Sequence, residues 1–136
     1  MSTESSNGMF EHAARFASDY MFRNSSLPNN ATVYSESHVL NNTQGRLLLT
    51  GVIDKDISLT GTNALTITLE YQEGDEWKNF STLLSVSADD LIASGKVFEF
   101  IPPPSNTRRI FRLAVTANFD ASDVNITSVI EALPLA

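Results

Sequence analysis

The sequence of 136 residues contains no cysteine and no long apolar run. Without cysteine, neither a disulfide framework nor a thiolate metal site can form. A membrane-spanning helix needs roughly 20 apolar residues in succession, and no stretch approaches that length. The first residues are polar and carry Glu4 and Glu11, unlike the basic and then apolar order of a signal peptide. We therefore expect a protein that has no membrane partner and that is made and kept in the cytosol.

Positive charge is also scarce, because nine Lys and Arg residues face sixteen Asp and Glu residues and give a net charge of -7. An acidic protein is repelled by nucleic-acid phosphates and by anionic membrane surfaces. We therefore expect no nucleic-acid partner. The length suits one domain that buries about two-thirds of the surface of its unfolded chain.

Groups that carry catalysis are sparse. The only histidines are His12 and His38, and the sequence has neither a Gly-x-Ser-x-Gly elbow nor a glycine-rich phosphate loop. Carboxylates cluster in turns at residues 54–56, 70–76 and 120–123. Such loops could bind calcium, but none follows an EF-hand pattern, and acidic turns are commonly just solvated. We expect no enzyme, no metal and no cofactor.

The first 31 residues differ from the rest. Met9, Ala13, Phe16 and Tyr20 recur at offsets of four, three and four, which is helical spacing, and "NSSLPNNAT" then breaks the pattern. This predicts an N-terminal arm over residues 1–31, in which the spacing permits a short helix. Its aromatic and methionine side chains invite a partner surface. The alternative is that they fold back over an open end of the following domain.

From residue 32 onward, apolar and polar residues alternate in short runs separated by turn signals such as "NNTQG" and "QEGDE". The candidate strands are residues 32–40, 46–53, 57–59, 64–71, 77–84, 96–101, 111–119 and 125–133. About eight such strands predict an all-β fold, an antiparallel β-sandwich or jelly roll over residues 32–136. "SADDLIASG" interrupts them, and it suggests one helical turn with Ser87 as the N-cap.

Trp77, the only tryptophan, lies beyond an acidic turn from Tyr71. The two rings could form a sugar-stacking platform, or they could be a cross-strand aromatic pair that holds a hairpin. Both interpretations place the two rings together.

The stretch "IPPPSNTRRIFRL" joins three prolines to two arginines and a core strand. Prolines lack a backbone donor, so they end the preceding strand in a rigid form that recruits no further strand. A rigid loop also loses little entropy when it docks on a partner. We therefore predict contacts at Pro103, Arg108 and Arg109. The alternative for the two arginines is pairing with acids of the same domain.

The order of elements in residues 65–131 is distinctive. An alternating strand "LTITLEYQEGDEW" precedes "LSVSADDLIASGKVFEFIPPPSNTRRIFRLAVTANF", and "VNITSVIEAL" follows. This order resembles the jelly-roll cement, or decoration, proteins of tailed, short-tailed-type bacteriophages, which share an "aG-x-x-F-x-x-P…RY-x-R-L" core. The resemblance covers about half of the chain. The sequence departs from the pattern at Phe111, one residue later than the expected aromatic, and the first 45 residues match nothing in it.

The resemblance implies a structural virion protein, a homotrimer on the capsid exterior that clamps the major capsid protein after assembly in the host cytoplasm. An acidic protein suits the exterior, since packaged DNA would repel it. The expected capsid or intersubunit contacts are Met9, Phe10, Phe16, Tyr20, Met21, Phe22, Pro103, Arg108 and Arg109. The alternative function is a carbohydrate-binding β-sandwich that uses Trp77 and Tyr71, and a small esterase or glycosidase ranks behind it.

Overall fold

The computed structural model of the chain describes residues 18–39, 46–102 and 109–133, and every regular element in these ranges is a β-strand. The strands are β1 (Ser18–Ser26), β2 (Asn29–Tyr34), β3 (His38–Val39), β4 (Arg46–Ile53), β5 (Ile57–Ser58), β6 (Leu65–Glu73), β7 (Glu76–Val86), β8 (Leu91–Ile92), β9 (Gly95–Phe100), β10 (Ile110–Asp120) and β11 (Asn125–Leu133). Within these ranges there is no helix long and apolar enough to cross a membrane.

The eight long strands form two facing sheets, β5 and β8 form a separate two-stranded sheet, and every pairing is antiparallel. One sheet has the order β1-β11-β4-β9, and the other has the order β2-β10-β6-β7 with β3 beside β10. Successive long strands alternate between the two sheets, except for the β6–β7 hairpin. This is the topology of a jelly roll, so the predicted all-β sandwich is confirmed. Its eight long strands are joined by the two-residue strands β3, β5 and β8.

The core follows from the alternation within β6 and β10. The side chains of Ile67, Leu69, Leu113 and Val115 are completely buried. Leu113 lies opposite Leu69, and Val115 lies opposite Ile67, so the four side chains form one apolar layer. Burying each such side chain is worth about 1.5–3 kcal/mol. The facing sheet completes the core through all four of its strands, β1, β4, β9 and β11.

Strand β1 corrects the predicted arm. It pairs with β11 and is irregular on either side of Phe22, as expected where bulges insert extra residues. Met21 and Phe22 are therefore both buried, at 2% and 5% exposure, although they are neighbours in sequence. Tyr20 lies in this strand and not in a helix. The predicted boundary at residue 31 falls inside β2, so residues 18–31 belong to the sandwich.

The corner between β1 and β2 carries the chain from one sheet to the other in two residues, Leu27 and Pro28. The Leu27 amide donates to the carbonyl of Val124 over 2.9 Å, and Leu27 itself is buried. Asn24 and Asn30 flank the corner with φ of 47° and 50°, a left-handed conformation that asparagine accepts more readily than most residues.

The predicted helical turn at residues 87–95 is wrong. The chain there forms the short strand β8, which pairs with β5 so that Ile57 faces Ile92. Asp89 takes a φ of 72°, which no helical turn contains. Ile57 and Ile92 are buried, so the segment is anchored through apolar contacts and a two-residue ladder.

Candidate functional site

A stack of polar and aromatic side chains lies on the outer face of the five-stranded sheet. The Cζ atom of Arg112 lies 3.8 Å from the ring centroid of Tyr34 and 4.2 Å from that of Trp77. Its Nε donates to Oε1 of Glu70 over 2.8 Å. We call Tyr34, Glu70, Trp77 and Arg112 the arginine stack.

Strand register explains why these four residues meet. Arg112 in β10 lies opposite Glu70 in β6, and successive residues of a strand point to opposite faces. Since Leu113 points into the core, Arg112 points out. Trp77 lies opposite Gln72, two residues along β6 from Glu70. The stack thus joins all four long strands of this sheet, β2, β10, β6 and β7, across the strand direction.

The stack holds the guanidinium group of Arg112 in a fixed position. Its two flat faces contact aromatic rings, and the side chains of Arg112 and Glu70 are each only 20% exposed. Each cation–π contact is worth about 0.5–2 kcal/mol, and more as water is excluded. The hydrogen bond to Glu70 is made by Nε, and the guanidinium carries two further donor groups, its Nη atoms. A guanidinium held in this way presents a fork of donors that matches a carboxylate.

Apolar side chains adjoin the stack on the same face. Val39 lies opposite Ile110, and Ile110 precedes Arg112 by two residues, so both point outward. They are 40% and 39% exposed, and Tyr34 is 51% exposed. We call Tyr34, Val39, Trp77, Ile110 and Arg112 the docking patch. Tyr, Trp and Arg are the residue types that dominate binding energy at protein interfaces.

The inner face at the same end of the sheet holds an aromatic cluster. Phe80 makes edge contacts with Tyr71, Phe100 and Phe111 at ring-centroid separations of 5.9, 6.4 and 5.2 Å. Phe100 belongs to the opposite sheet. The cluster therefore packs the two sheets together at this end.

The predicted platform of Trp77 and Tyr71 does not form, because the two rings lie on opposite faces of the sheet. Trp77 lies opposite Gln72, and Tyr71 lies opposite Lys78, so Tyr71 joins the inner cluster. The sequence did suggest that Trp77 has an aromatic partner. The aromatic side chain that shares Arg112 with Trp77 is Tyr34. No local spacing in the sequence connects Tyr34 with β7, so the sequence does not predict this partner.

The predicted contact residues fall in three groups. Met21 and Phe22 lie in the core of their own chain, which corrects their assignment as partner contacts. Tyr20 is partly buried, with Cζ of Arg23 at 4.1 Å from its ring centroid. Arg109 lies with its Cζ 4.9 Å from the ring centroid of Tyr71. The remaining five, Met9, Phe10, Phe16, Pro103 and Arg108, lie outside the described residues.

Two of the acidic turns come together at the opposite end of the sandwich. Asp56, Asp120 and Asp123 line one open pocket of about 240 Å³. Asp56 accepts the amide of Ser94 over 2.7 Å, and hydrogen bonds from Ser122 lower the pKa of Asp120. Within the part of the chain that the structure describes, no three His, Asp or Glu side chains are placed to hold a metal ion.

At the hairpin tip, the third acidic turn is engaged by a lysine. Lys78 Nζ lies 2.9 Å from Oε1 of Glu73, and this hydrogen bond lowers the pKa of Glu73 and raises that of Lys78. Both side chains are well exposed, so this pair adds little to stability.

His38 links the two sheets. Its Nε2 lies 2.8 Å from the carbonyl oxygen of Tyr20, and its Nδ1 lies 3.3 Å from Oδ2 of Asp19. Its side chain is 17% exposed. His38 therefore joins β3 to β1. His12 lies outside the described residues.

No protein-family model and no curated protein matches the chain. Among solved structures, it is similar to one described as infectious bursal disease virus, Gx strain, at 9% identity and a TM-score of 0.43 over 85% of this chain. It is also similar to dimeric latent PorU from Porphyromonas gingivalis, at 16% identity and a TM-score of 0.36 over 88% of this chain. The chain spans 30% of the first protein and 13% of the second.

Proposed function

We propose that the protein is a structural virion protein, a jelly-roll cement protein that binds the outer surface of the major capsid protein lattice as a homotrimer. The observation that carries the proposal is the docking patch, in which a fixed arginine, two aromatic rings and two aliphatic side chains share one exposed sheet face. The order of elements in residues 65–131, which resembles that of phage cement proteins, supports the same role.

Cementing is a case of thermodynamic linkage. A protein that binds only the assembled lattice stabilises that lattice by its binding free energy. In a trimer, contacts made after the first become intramolecular, so weak contacts combine into a firm attachment. The net charge of -7 suits the capsid exterior, away from packaged DNA. The role needs no cofactor and no catalytic group.

The loop with the predicted contacts Pro103, Arg108 and Arg109 leads directly into the docking patch, since β10 begins at Ile110. A partner seated on the patch would therefore lie close to Arg109, which directly precedes Ile110 in the chain. The aromatic side chains within residues 1–17 stay part of the proposal as further contacts.

The direct test is to sediment the purified protein with shells assembled from the major capsid protein of the same virus. We expect the protein to cosediment and to raise the melting temperature of the shells. Ile110→Ser should weaken binding, whereas Val52→Ser, which removes a similarly exposed side chain from the other sheet, should not. A protein that stays in the supernatant at saturating concentrations would exclude the cement role.

Carbohydrate binding is the second candidate, and the specific observation for it is that Trp77 and Tyr34 share one sheet face. The hydroxyl groups of Thr32 and Thr116 lie on the same face, 2.8 Å apart. Because Trp77 is the only tryptophan, its fluorescence reports directly on ligands at this surface. Saturable quenching by a neutral oligosaccharide, abolished in Tyr34→Ala, would support this candidate, and an unchanged spectrum across a glycan panel would exclude it.

A further inference from the structure

We propose that the docking patch is one half of the contact between copies of this chain, and that the other half is the loop Asp89–Leu91 of the adjacent copy. The inference rests on the proposed homotrimer and deepens it by naming the two surfaces that meet. The docking patch is then covered inside the trimer, and Ile110→Ser weakens shell binding because it removes the avidity of three joined copies.

The loop presents an unusual combination of side chains. Leu91 is 63% exposed, the highest value among the exposed large hydrophobic side chains of the described residues. Asp89 and Asp90 are exposed immediately before it. We call these three residues the acidic loop. A protruding leucine beside two carboxylates is poorly explained by solvation alone, since a large apolar side chain gains from being covered.

The backbone of the acidic loop is fixed. The Asp89 amide donates to the carbonyl of Leu59 over 2.9 Å, and the Leu59 amide donates to the carbonyl of Asp90 over 3.0 Å. Leu91 lies opposite Ser58 in the β5–β8 ladder. A loop held in one conformation loses little entropy when it binds.

The chemistry of the acidic loop complements that of the docking patch. The Nη groups of Arg112 offer donors to a carboxylate, and Asp90 supplies an exposed carboxylate. Val39 and Ile110 offer exposed apolar side chains that Leu91 could cover. Both halves are held in place before they meet, which is the condition under which a small contact binds well.

The two halves cannot meet within one copy. The docking patch lies where β7 begins, near Trp77, and the acidic loop follows Val86, where β7 ends. Strand β7 has 11 residues, and a strand rises about 3.3 Å per residue, so roughly 30 Å separates the halves. A contact between the two halves would therefore join two copies through two different surfaces, an arrangement that closes into a ring or grows into a filament. In the proposed trimer it closes.

The test measures the assembly state of the full chain by sedimentation equilibrium over a wide concentration range. We expect Leu91→Ser and Asp90→Lys each to raise the dissociation constant of the trimer about ten-fold or more, as substitutions at the centre of an interface do. There are two matched controls. Val52→Ser removes an exposed aliphatic side chain from another strand, and Asp123→Lys makes the same charge change on another exposed turn. They should assemble like wild type. Variants of the acidic loop that stay trimeric at every concentration would overturn the inference.

A mixing experiment tests the pairing itself. Ile110→Ser damages only the docking patch and Leu91→Ser damages only the acidic loop, and both residues are exposed, so the fold should be unaffected. Each variant alone should be monomeric at a concentration at which wild type is trimeric. Their mixture should form heterodimers, because one intact patch then meets one intact loop. A mixture that remains monomeric would overturn the pairing.

The outcomes separate this inference from the cement role. If Leu91→Ser loses the trimer but single copies still bind shells weakly, both stand. If wild type binds shells as a trimer that the variants of the acidic loop leave intact, only this inference fails. If wild type neither assembles nor binds shells, the cement role fails, and the pairing fails with it.

Discussion

The two faces of the five-stranded sheet are made by the same strands but differ in the chemistry of their side chains. Inward, Leu113 and Val115 of β10 form a dry aliphatic layer with no exposed surface. Outward, Arg112 of the same strand lies between two aromatic rings and pairs with Glu70. Strand alternation thus places the buried layer and the proposed docking patch one residue apart along the same strand. Changes on the inner face should therefore act on stability, and changes on the outer face chiefly on binding.

The largest effect is expected on the inner face. Leu113→Ala should lower the free energy of unfolding by about 3 kcal/mol, because it removes buried contacts and leaves a cavity. Urea denaturation followed by circular dichroism measures this. Thr66→Ala, on the outer face of the neighbouring strand β6, is the control and should change stability by less than about 0.5 kcal/mol. Equal effects of the two substitutions would remove the distinction between the faces.

On the inner face of the other sheet, a larger side chain should also destabilise the protein. The ring of Phe98 occupies the place that a Cβ atom on Gly51 would take. We expect Gly51→Ala to destabilise the protein by about 1–3 kcal/mol through overpacking. Adding Phe98→Leu should recover part of the loss, and additive losses from the two substitutions would show that the ring is not the obstacle.

An intermediate effect is expected from the arginine stack. Arg112→Lys keeps the charge but loses the planar group that both rings contact, which should cost about 1 kcal/mol. Thermal unfolding measures the loss, and Trp77 fluorescence should shift at the same time. Arg23→Lys, whose guanidinium contacts a single ring at Tyr20, is the matched control and should cost less. A larger loss in the control would mean that the second ring contributes nothing.

The smallest effect on stability is expected from a substitution in an exposed turn that belongs to neither face of the sheet. Hydrogen bonds from Ser122 lower the pKa of Asp120. A lowered carboxyl pKa contributes stability that is present above the pKa of the unfolded chain and is lost as the pH falls through the lower folded value. Ser122→Ala should therefore raise the pKa of Asp120 toward that of an ordinary aspartate, which NMR titration of the carboxyl carbon would show. An unmoved titration would assign the shift to another cause.

Sequence periodicity was sufficient for the fold class but not for β1. Strand β6 alternates clearly, and β10 does so except at the buried Ala114, so the sequence predicts both strands. In β1 the irregular pairing on either side of Phe22 places Met21 and Phe22 together in the core, and no simple period contains such a pair. The segment therefore looked more like the end of a helix than like a strand.

The docking patch was only partly accessible to prediction. Counting back from a two-residue turn at Gly74 and Asp75 pairs residue 73 with residue 76, which would already have placed Trp77 and Tyr71 on opposite faces. The partnership of Tyr34 with Arg112 is different in kind, because it depends on how β2 docks against β10. No local pattern in either strand encodes that register.

Among the residues that the structure describes, three that are not glycine have a left-handed backbone, Asn24, Asn30 and Asp89. Their conformation has a consequence for how this sequence can vary. All three are exposed, and exposed positions ordinarily accept almost any residue. Here the backbone itself restricts the choice, since only glycine, asparagine and aspartate adopt this conformation readily. A saturation library should therefore show these surface sites to be as intolerant as parts of the core. At position 89, Asp89→Gly should be among the tolerated variants. It would keep the fold while removing a charge from the acidic loop.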